Sequence, residues 1–254
     1  MTVLQTQGLL LDIPDRDQHM PLDITVEPGQ CWAVLGPNGS GKTTFLHTLA
    51  GLRTAASGTV LLDQQPLQGL SRRQLARHIG MLLQHHEDGF PATVEETVLA
   101  GRYPHLGFWQ RETAEDYQQV DAAMDTMSVT PFRRRQVNTL SGGERQRVAV
   151  ATILAQQPQI WLMDEPTNHL DLHHQMAVMA LLAARAAQQQ AVIMSLHDPN
   201  LAARWCDQVL LLYPDGSACW GPTKTMLVPA ALEGLYQHPL RHIEVDGQSV
   251  FLPK

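Results

Sequence analysis

Residues Gly36–Thr43 read GPNGSGKT. Their spacing, Gly-x-x-x-x-Gly-Lys-Thr, is that of a phosphate-binding loop, in which glycines let backbone N–H groups turn toward a phosphate. In such a loop Lys42 reaches the β- and γ-phosphate oxygens, and the Thr43 hydroxyl is a ligand for Mg²⁺. The apolar run Cys31–Gly36 precedes the loop, and helical spacing of apolar residues follows it. A strand, a loop and a helix in this order are the context that the motif requires.

Two acidic residues, Asp164 and Glu165, directly follow a second apolar run, Ile160–Met163. Because this run predicts a buried strand, we expect both carboxylates at the strand's carboxyl end, where ligands collect in a parallel sheet. Asp164 is then placed to hold Mg²⁺ through water, and Glu165 to polarise an attacking water. The alternative interpretation is that two acids simply end a strand.

The segment Leu140–Glu144 reads LSGGE and begins a predicted helix. Ser141, together with the N–H groups of Gly142 and Gly143, would form an anion site at the helix N-terminus. The structural alternative is that Ser141 only caps the helix, in a capping box with Glu144.

Short apolar runs alternate with helical patterns along the rest of the chain. We predict an antiparallel β start at Val3–Ile13 and Leu22–Val26, and a hairpin around Asp246–Gly247. Further predicted strands are Thr59–Leu62, Ile79–Leu83, Ala191–Ser195 and Val209–Leu212, and predicted helices include Arg72–Arg77, Thr113–Met127 and Met226–Tyr236. A helix stripe is expected at Leu172, Met176, Met179 and Ala183. The alternation predicts an α/β fold with a parallel sheet covered on both faces.

Composition narrows the class of protein. The 254 residues are 44% hydrophobic and 17% charged, with a net charge of −7, so we expect a folded chain that does not bind nucleic acid. The one basic run, Arg133–Arg135, is interpreted as a solvated loop face. Three widely spaced cysteines argue against a disulfide framework and fit a reducing cytoplasm. No apolar run approaches the ~20 residues that span a bilayer.

Together these motifs resemble the ATP-binding subunit of ATP-binding-cassette (ABC) transporters, most clearly from Leu22 to about Gly221. The resemblance implies a P-loop NTPase fold with an antiparallel β subdomain and a helical insertion, and it implies ATP and Mg²⁺ as cofactors. It predicts one ABC ATPase domain over residues 1–254. Within it, residues 1–84 and 138–221 form the catalytic core with the β subdomain, 85–137 the helical subdomain, and 222–254 a C-terminal extension.

The resemblance also assigns roles to individual residues. Gln84 matches the Q-loop glutamine, Asn168–Asp171 the D-loop, and His197 the switch histidine that contacts the γ-phosphate. The implied catalytic residues are Glu165, His197, Gln84 and Lys42, and the implied metal ligands are Thr43, Gln84 and Asp164. The implied nucleotide-binding residues are Gly36, Pro37, Asn38, Gly39, Ser40, Gly41, Lys42, Thr43 and Thr44, with Ser141, Gly142, Gly143 and Glu144 contributed by a second copy.

The stretch Glu96–Gly107, ETVLAGRYPHLG, resembles importers of iron–siderophore, haem and cobalamin chelates. The branch implies a homodimer, two transmembrane permease subunits and a periplasmic or extracellular substrate-binding protein. It places the chain at the cytoplasmic face of a bacterial inner membrane. An exporter subunit, a non-transport ABC machine and a small-molecule kinase are the alternatives. Chromosome ATPases carry long coiled coils between the two nucleotide motifs, and Thr44–Thr139 has no heptad run that would predict one. The LSGGE segment argues against a small-molecule kinase.

Two features depart from simple patterns. Residues 1–30 contain no Phe, Tyr or Trp to stack on adenine, so an aliphatic side chain such as Ile13 is expected to cover the base. The pairs His85–His86 and His173–His174 suggest a metal site, but adjacent histidines point in different directions and no Cys or acid spacing completes one.

Overall fold

The computed structural model describes residues 3–13, 20–84, 91–107 and 109–254. Its strands are β1 (Leu4–Leu10), β2 (Thr25–Val26), β3 (Cys31–Leu35), β4 (Ser57–Leu62), β5 (Gln65–Pro66), β6 (Ile79–Leu82), β7 (Ile160–Met163), β8 (Ala191–Ser195), β9 (Gln208–Leu212), β10 (Ala218–Pro222), β11 (Leu240–Val245) and β12 (Gln248–Pro253). Its helices are α1 (Lys42–Leu49), α2 (Arg72–His78), α3 (Val94–Ala100), α4 (Ala114–Thr126), α5 (Gly142–Gln156), α6 (Leu172–Ala187), α7 (Pro199–Trp205), α8 (Thr223–Met226) and α9 (Pro229–Tyr236).

The central sheet has six strands in the order β10-β9-β3-β8-β7-β6. Strands β9, β3, β8, β7 and β6 run parallel, and β10 joins the edge antiparallel to β9. Every residue of β3, β7 and β8 is buried, because helices cover both faces of a parallel sheet. Met163 pairs with Met194, and Val34 pairs with Ser195. The carboxyl ends of these three strands therefore meet at one edge of the sheet.

A second sheet forms the predicted antiparallel start of the chain. Its order is β2-β1-β4-β5, with Leu4 opposite both Val26 and Leu62. Its inward side chains share one apolar core with α1 and one face of the central sheet, including Leu9, Phe45 and Leu162. The predicted α/β fold with an antiparallel sheet is confirmed.

Helices α3 and α4 lie within residues 85–137 and pack on α5, as the helical interpretation of this region requires. Arg102, which follows α3, joins α4 to α5. Its Nε donates to Oδ1 of Asp116 in α4 over 2.9 Å, and its Nη1 donates to the carbonyl of Ala155 in α5 over 2.7 Å. Both members of this ion pair are buried. In the basic run, Arg133 pairs with Glu95 at 2.7 Å, so its charge is neutralised locally.

Two local predictions are wrong in detail. Helix α6 exists, but its buried residues are Val178, Met179, Leu182 and Ala186, whereas Leu172 is 72% exposed. The face that packs is rotated from the predicted stripe, because an Ala- and Leu-rich helix offers several apolar stripes and tertiary packing selects one. The predicted helix Met226–Tyr236 is two helices, α8 and α9, because Pro229 begins a new helix at its first position.

The predicted tail hairpin is confirmed as β11 and β12, joined at Asp246–Gly247. All three cysteines are free thiols, and the Sγ atoms of Cys31 and Cys206 lie 3.7 Å apart despite their distance in the sequence. Within the part of the chain that the structure describes, none of the helices combines the length and the apolar character that membrane crossing requires.

Candidate active site

The phosphate loop connects β3 to α1, as its sequence context predicts. Gly39 and Gly41 have φ values of 77° and 98°, a left-handed conformation that glycine adopts without steric cost. Lys42 is buried, and its Nζ donates to the carbonyls of Gly36 and Pro37 over 2.7 and 3.2 Å. Burial lowers the pKa of Lys42, and the nearby Glu165 and Asp164 carboxylates oppose that shift. The loop therefore holds a buried cation beneath the position that its motif assigns to phosphate.

A Cβ atom at Gly36 would lie 2.4 Å from Oγ of Ser40 and 2.6 Å from the carbonyl of Leu212. No side chain is compatible with that position, so this glycine is required by packing. Oγ of Ser40 is itself buried and has no hydrogen-bond partner among the described residues. A buried hydroxyl without a partner is unusual in proteins, and it fits a loop built to receive a polar ligand.

Asp164 and Glu165 lie at the carboxyl end of β7, and Ser195 ends the neighbouring β8. The Ser195 hydroxyl donates to Oδ1 of Asp164 over 2.6 Å and accepts from the backbone N–H of Glu165 over 2.8 Å. The other carboxylate oxygen, Oδ2 of Asp164, is buried without a hydrogen-bond partner in the described structure. Carboxylate and hydroxyl oxygens are the ligands that Mg²⁺ prefers, so Asp164 and Thr43 fit this ion.

The Glu165 carboxylate is held on both sides. Oε1 lies 2.7 Å from Nε2 of His197, and Oε2 accepts a hydrogen bond from the side-chain amide of Asn168. Glu165 is buried, and its φ of 50° is rare for a residue with a side chain. The structure thus brings together the predicted catalytic glutamate, the predicted switch histidine and the first residue of the predicted D-loop.

One depression of about 340 Å³ collects part of the predicted nucleotide-binding and catalytic set, whereas His197 is not among the residues that line it. It is lined by Ile13, Asn38, Gly39, Gly41, Lys42, Thr43, Thr44, Gln84 and Glu165. A Cβ atom at Gly41 would come within 2.5 Å of Cδ1 of Ile13, so the Ile13 side chain lies across the loop. The structure therefore places at the loop the aliphatic residue that was expected to cover the base.

The LSGGE segment lines a different depression, with Arg147, His169, Leu170, Asp171 and His174. The described residues that line the two depressions do not overlap. The capping box is formed, since the N–H of Ser141 donates to Glu144 over 2.7 Å and the N–H of Glu144 donates to Oγ of Ser141 over 3.3 Å. Hydrogen bonds from the backbone and the side chain of Ser141 to the Glu144 carboxylate lower the pKa of Glu144. The structural role of Ser141 is thus real, and an anion role would be additional to it.

Two residues at the site were not identified from the sequence. The first is Ser195, whose only signal is a hydroxyl at the end of an apolar strand. The second is Gln146, a buried residue of α5 whose side-chain amide donates to the carbonyls of Glu165 and Pro166 over 3.3 and 3.2 Å. Gln146 therefore links the helix that begins with LSGGE to the backbone of the predicted catalytic glutamate in the same chain.

Among the described residues, which include His173 and His174, no group of three or more His, Cys, Asp or Glu side chains could hold a metal ion. His174 instead places its Nδ1 2.8 Å from Oδ1 of Asp171. The pair His85–His86 lies outside the described residues.

Comparison with known proteins decides the family. A family model described as ABC transporter matches residues 20–168, more than half of the chain. The chain belongs to the ABC transporter family. A hemin import ATP-binding protein of Nocardia farcinica is 42% identical to this ABC protein over 98% of the chain and 88% of the relative. The ferric enterobactin transport ATP-binding protein of Escherichia coli K12 is 37% identical over 85% of the chain and 80% of the relative.

Solved structures agree with this assignment. An inward-facing ABC transporter described as being of metal-chelate type superposes on the ABC protein with a TM-score of 0.85 and 27% identity, covering 100% of this chain and 98% of the other. An ATP-bound bacterial exporter also matches, with a TM-score of 0.74 and 26% identity over 92% of this chain and 40% of the exporter. The fold alone therefore does not separate import from export. The predicted ABC ATPase fold, ATP binding and ATPase activity are confirmed, as is the resemblance to the chelate-importer branch.

Proposed function

We propose that this chain is the ATP-hydrolysing motor subunit of an importer for a metal chelate, either an iron–siderophore, haem or cobalamin complex. Relatives named for hemin, ferric enterobactin and petrobactin import support the class of cargo. The observation that carries the catalytic part is the Glu165 carboxylate, held between His197 and Asn168 at the edge of the phosphate-loop depression.

The chain's own residues suit hydrolysis of the γ-phosphate. Lys42 binds the β- and γ-phosphate oxygens, and the N–H groups of the phosphate loop donate hydrogen bonds to the other phosphate oxygens. Glu165 orients the attacking water and takes up its proton, while the water oxygen bonds to the γ-phosphorus and the bond to the leaving ADP oxygen breaks. His197 steadies Glu165 and faces the γ-phosphate. Mg²⁺, held by Thr43, Gln84 and Asp164, would neutralise charge on the phosphates.

A homodimer would complete the site. The LSGGE depression does not overlap the phosphate-loop depression in the described chain, so one copy does not present both to one nucleotide. Two copies facing each other would place Ser141, Gly142, Gly143 and Glu144 of one chain on the γ-phosphate bound by the other. The N–H groups of Gly142 and Gly143 at this helix N-terminus favour such an anion.

The partners would be two membrane permease subunits and, indirectly, a substrate-binding protein, with the chain peripheral on the cytoplasmic face of a bacterial inner membrane. The region from Gln84 to Gly107 is the proposed permease contact. Two arginines of α2, Arg73 and Arg77, both donate to the carbonyl of Pro104 over 3.1 and 2.8 Å. A permease that displaces the loop at Pro104 would therefore also displace helix α2 through these two hydrogen bonds. The division into core, helical subdomain 85–137 and extension 222–254 belongs to the same proposal.

The test is ATP hydrolysis by the chain reconstituted in lipid with chelate-permease subunits and their binding proteins. Stimulation by one loaded binding protein is expected and would name the cargo. Activity that ignores every such partner would contradict import and favour an exporter or a non-transport machine. Glu165→Gln is expected to bind ATP but to lose turnover by about 100-fold or more, whereas the exposed Glu244→Gln should behave as wild type. Normal hydrolysis by Glu165→Gln would refute the role given to this residue.

A further inference from the structure

The C-terminal extension contacts the loop that carries His197. Tyr236 is the last residue of α9, and its hydroxyl donates to the backbone carbonyl of His197 over 3.2 Å. The same histidine places Nε2 on Oε1 of Glu165. One residue is thus held from two directions, its ring by the catalytic glutamate and its backbone by the extension.

A second contact anchors the segment that follows His197. The side chain of Asn200, in α7, accepts from the N–H of Phe251 over 2.7 Å and donates to the carbonyl of the same residue over 3.2 Å. Phe251 is 2% exposed and belongs to the main core together with Leu196 and Leu235. The hairpin is therefore a fixed support, and not a loosely attached tail.

The Tyr236 hydroxyl is suited to act as a permanent donor. The ring is half-buried, and burial, followed by the nearby Asp198 charge, raises the pKa of Tyr236. The hydroxyl therefore keeps its proton over the whole working pH range. Asp198 is already engaged, since its Oδ1 caps α7 by accepting from the N–H of Asn200 over 2.8 Å.

We propose that Tyr236 is a positioning residue for ATP hydrolysis. Its hydroxyl fixes the His197 backbone, so that the imidazole stays on Glu165, and it makes the hydrolytic rate depend on the seating of residues 222–254. This inference rests on the proposed role of His197 in hydrolysis. Loss of the hydroxyl would let the loop sample positions in which Nε2 leaves Oε1, which slows turnover without weakening nucleotide binding.

The experiment compares Tyr236→Phe with a matched control, Tyr213→Phe. Tyr213 packs near Gly234 of the same helix, and its hydroxyl lies 3.5 Å from Sγ of Cys219. In the full chain, alone or in its permease complex, Tyr236→Phe is expected to lower kcat about 5-fold, the effect of one hydrogen bond. The KM for ATP should stay at the wild-type value, the thermal midpoint should fall by no more than the ~2–4 °C that one lost hydrogen bond implies, and Tyr213→Phe should leave kcat unchanged.

A double-mutant cycle with His197→Ala separates the two proposals. Expected is a slow His197→Ala enzyme on which Tyr236→Phe has no further effect, because both changes remove the same alignment. If His197→Ala hydrolyses ATP normally, the role of His197 in the proposed function fails. If His197→Ala is slow but Tyr236→Phe matches wild type, or if the two losses multiply, only the positioning role of Tyr236 is overturned.

Discussion

The Ser195 hydroxyl lies 2.6 Å from Oδ1 of Asp164 and joins the carboxyl ends of β8 and β7. The parallel register, in which Met163 pairs with Met194, sets the two residues side by side. The same hydroxyl accepts a hydrogen bond from the N–H of Glu165. It therefore orients both the proposed metal ligand Asp164 and the backbone of the proposed catalytic glutamate, Glu165.

Ser195→Ala is expected to reduce both stability and hydrolysis. The buried N–H of Glu165 would lose its acceptor, which costs about 1–3 kcal/mol of unfolding free energy. Because the Asp164 carboxylate would lose the hydroxyl that orients it, hydrolysis should also need a higher Mg²⁺ concentration to reach half of its maximal rate. Denaturant unfolding and Mg²⁺ titration of ATPase activity measure these effects. The control is Ser217→Ala, an exposed serine that hydrogen-bonds to Asp215. Equal behaviour of the two variants would contradict the bridging role.

Gln146→Met is expected to lower kcat about 10-fold with unchanged ATP affinity. The change keeps the side-chain volume but removes the donor to the Glu165 and Pro166 carbonyls, and loss of a buried hydrogen bond costs about 1–1.5 kcal/mol. Gln159→Met serves as the control because the Gln159 side chain is exposed. Steady-state kinetics and a nucleotide-binding titration separate kcat from affinity. A Gln146→Met enzyme with wild-type kcat would show that the link does not matter for turnover.

Adjacent glycines of the LSGGE segment should respond differently to alanine. A Cβ at Gly143 would lie 2.8 Å from the carbonyl of His169, whereas a Cβ at Gly142 would lie 3.4 Å from the His169 side chain. Gly143→Ala is therefore expected to destabilise the fold by about 1–3 kcal/mol through overpacking. Gly142→Ala should be neutral or slightly stabilising, since both positions are helical. Thermal unfolding of the two variants decides the point, and the reverse order would refute it.

The buried ion pair of Arg102 and Asp116 predicts that the free energy of unfolding falls at acidic pH. Hydrogen bonds from Thr113, with the Arg102 guanidinium, lower the pKa of Asp116 from 3.8 to about 2. The pKa of Asp116 is lower in the folded state than in the unfolded state. The stabilisation that its ionised carboxylate gives is therefore fully present above pH 3.8 and is lost as the pH falls toward about 2. Unfolding free energy measured against pH should show this loss in wild type.

Asp116→Asn should remove this dependence on acidic pH. It should also lower the free energy of unfolding at neutral pH by about 3 kcal/mol, because Arg102 would stay buried without its counter-charge. The matched control is Glu95→Gln, which breaks the partly exposed pair with Arg133. Such a pair contributes about 0–1 kcal/mol. If both variants lose the same small amount, the buried pair has no special role.

The motifs were predictable because each is local. A phosphate loop needs its glycines and Lys42 within a few residues, and Asp164–Glu165 follow a run of buried residues that marks a strand end. The apolar runs also predict the strands, because a parallel sheet buries both faces. By contrast, the predicted buried face of α6 was wrong, because several faces of that helix are apolar and the periodicity of the sequence does not choose among them.

Ser195 and Gln146 were missed for a related reason. Each is one polar residue in an apolar segment, and its value depends on a partner 30 or 19 positions away in the chain. The contact between Tyr236 and His197 spans 39 positions and is equally invisible in the sequence.

The phosphate loop and the fold class follow from the order of residues alone, because backbone geometry at the loop and burial at the strands are set by neighbours along the chain. The groups that hold Glu165 and His197 in place are visible only in the folded chain. Those contacts arise where strand ends, helix α5 and the C-terminal extension meet, and this meeting depends on packing between segments that are distant in the chain.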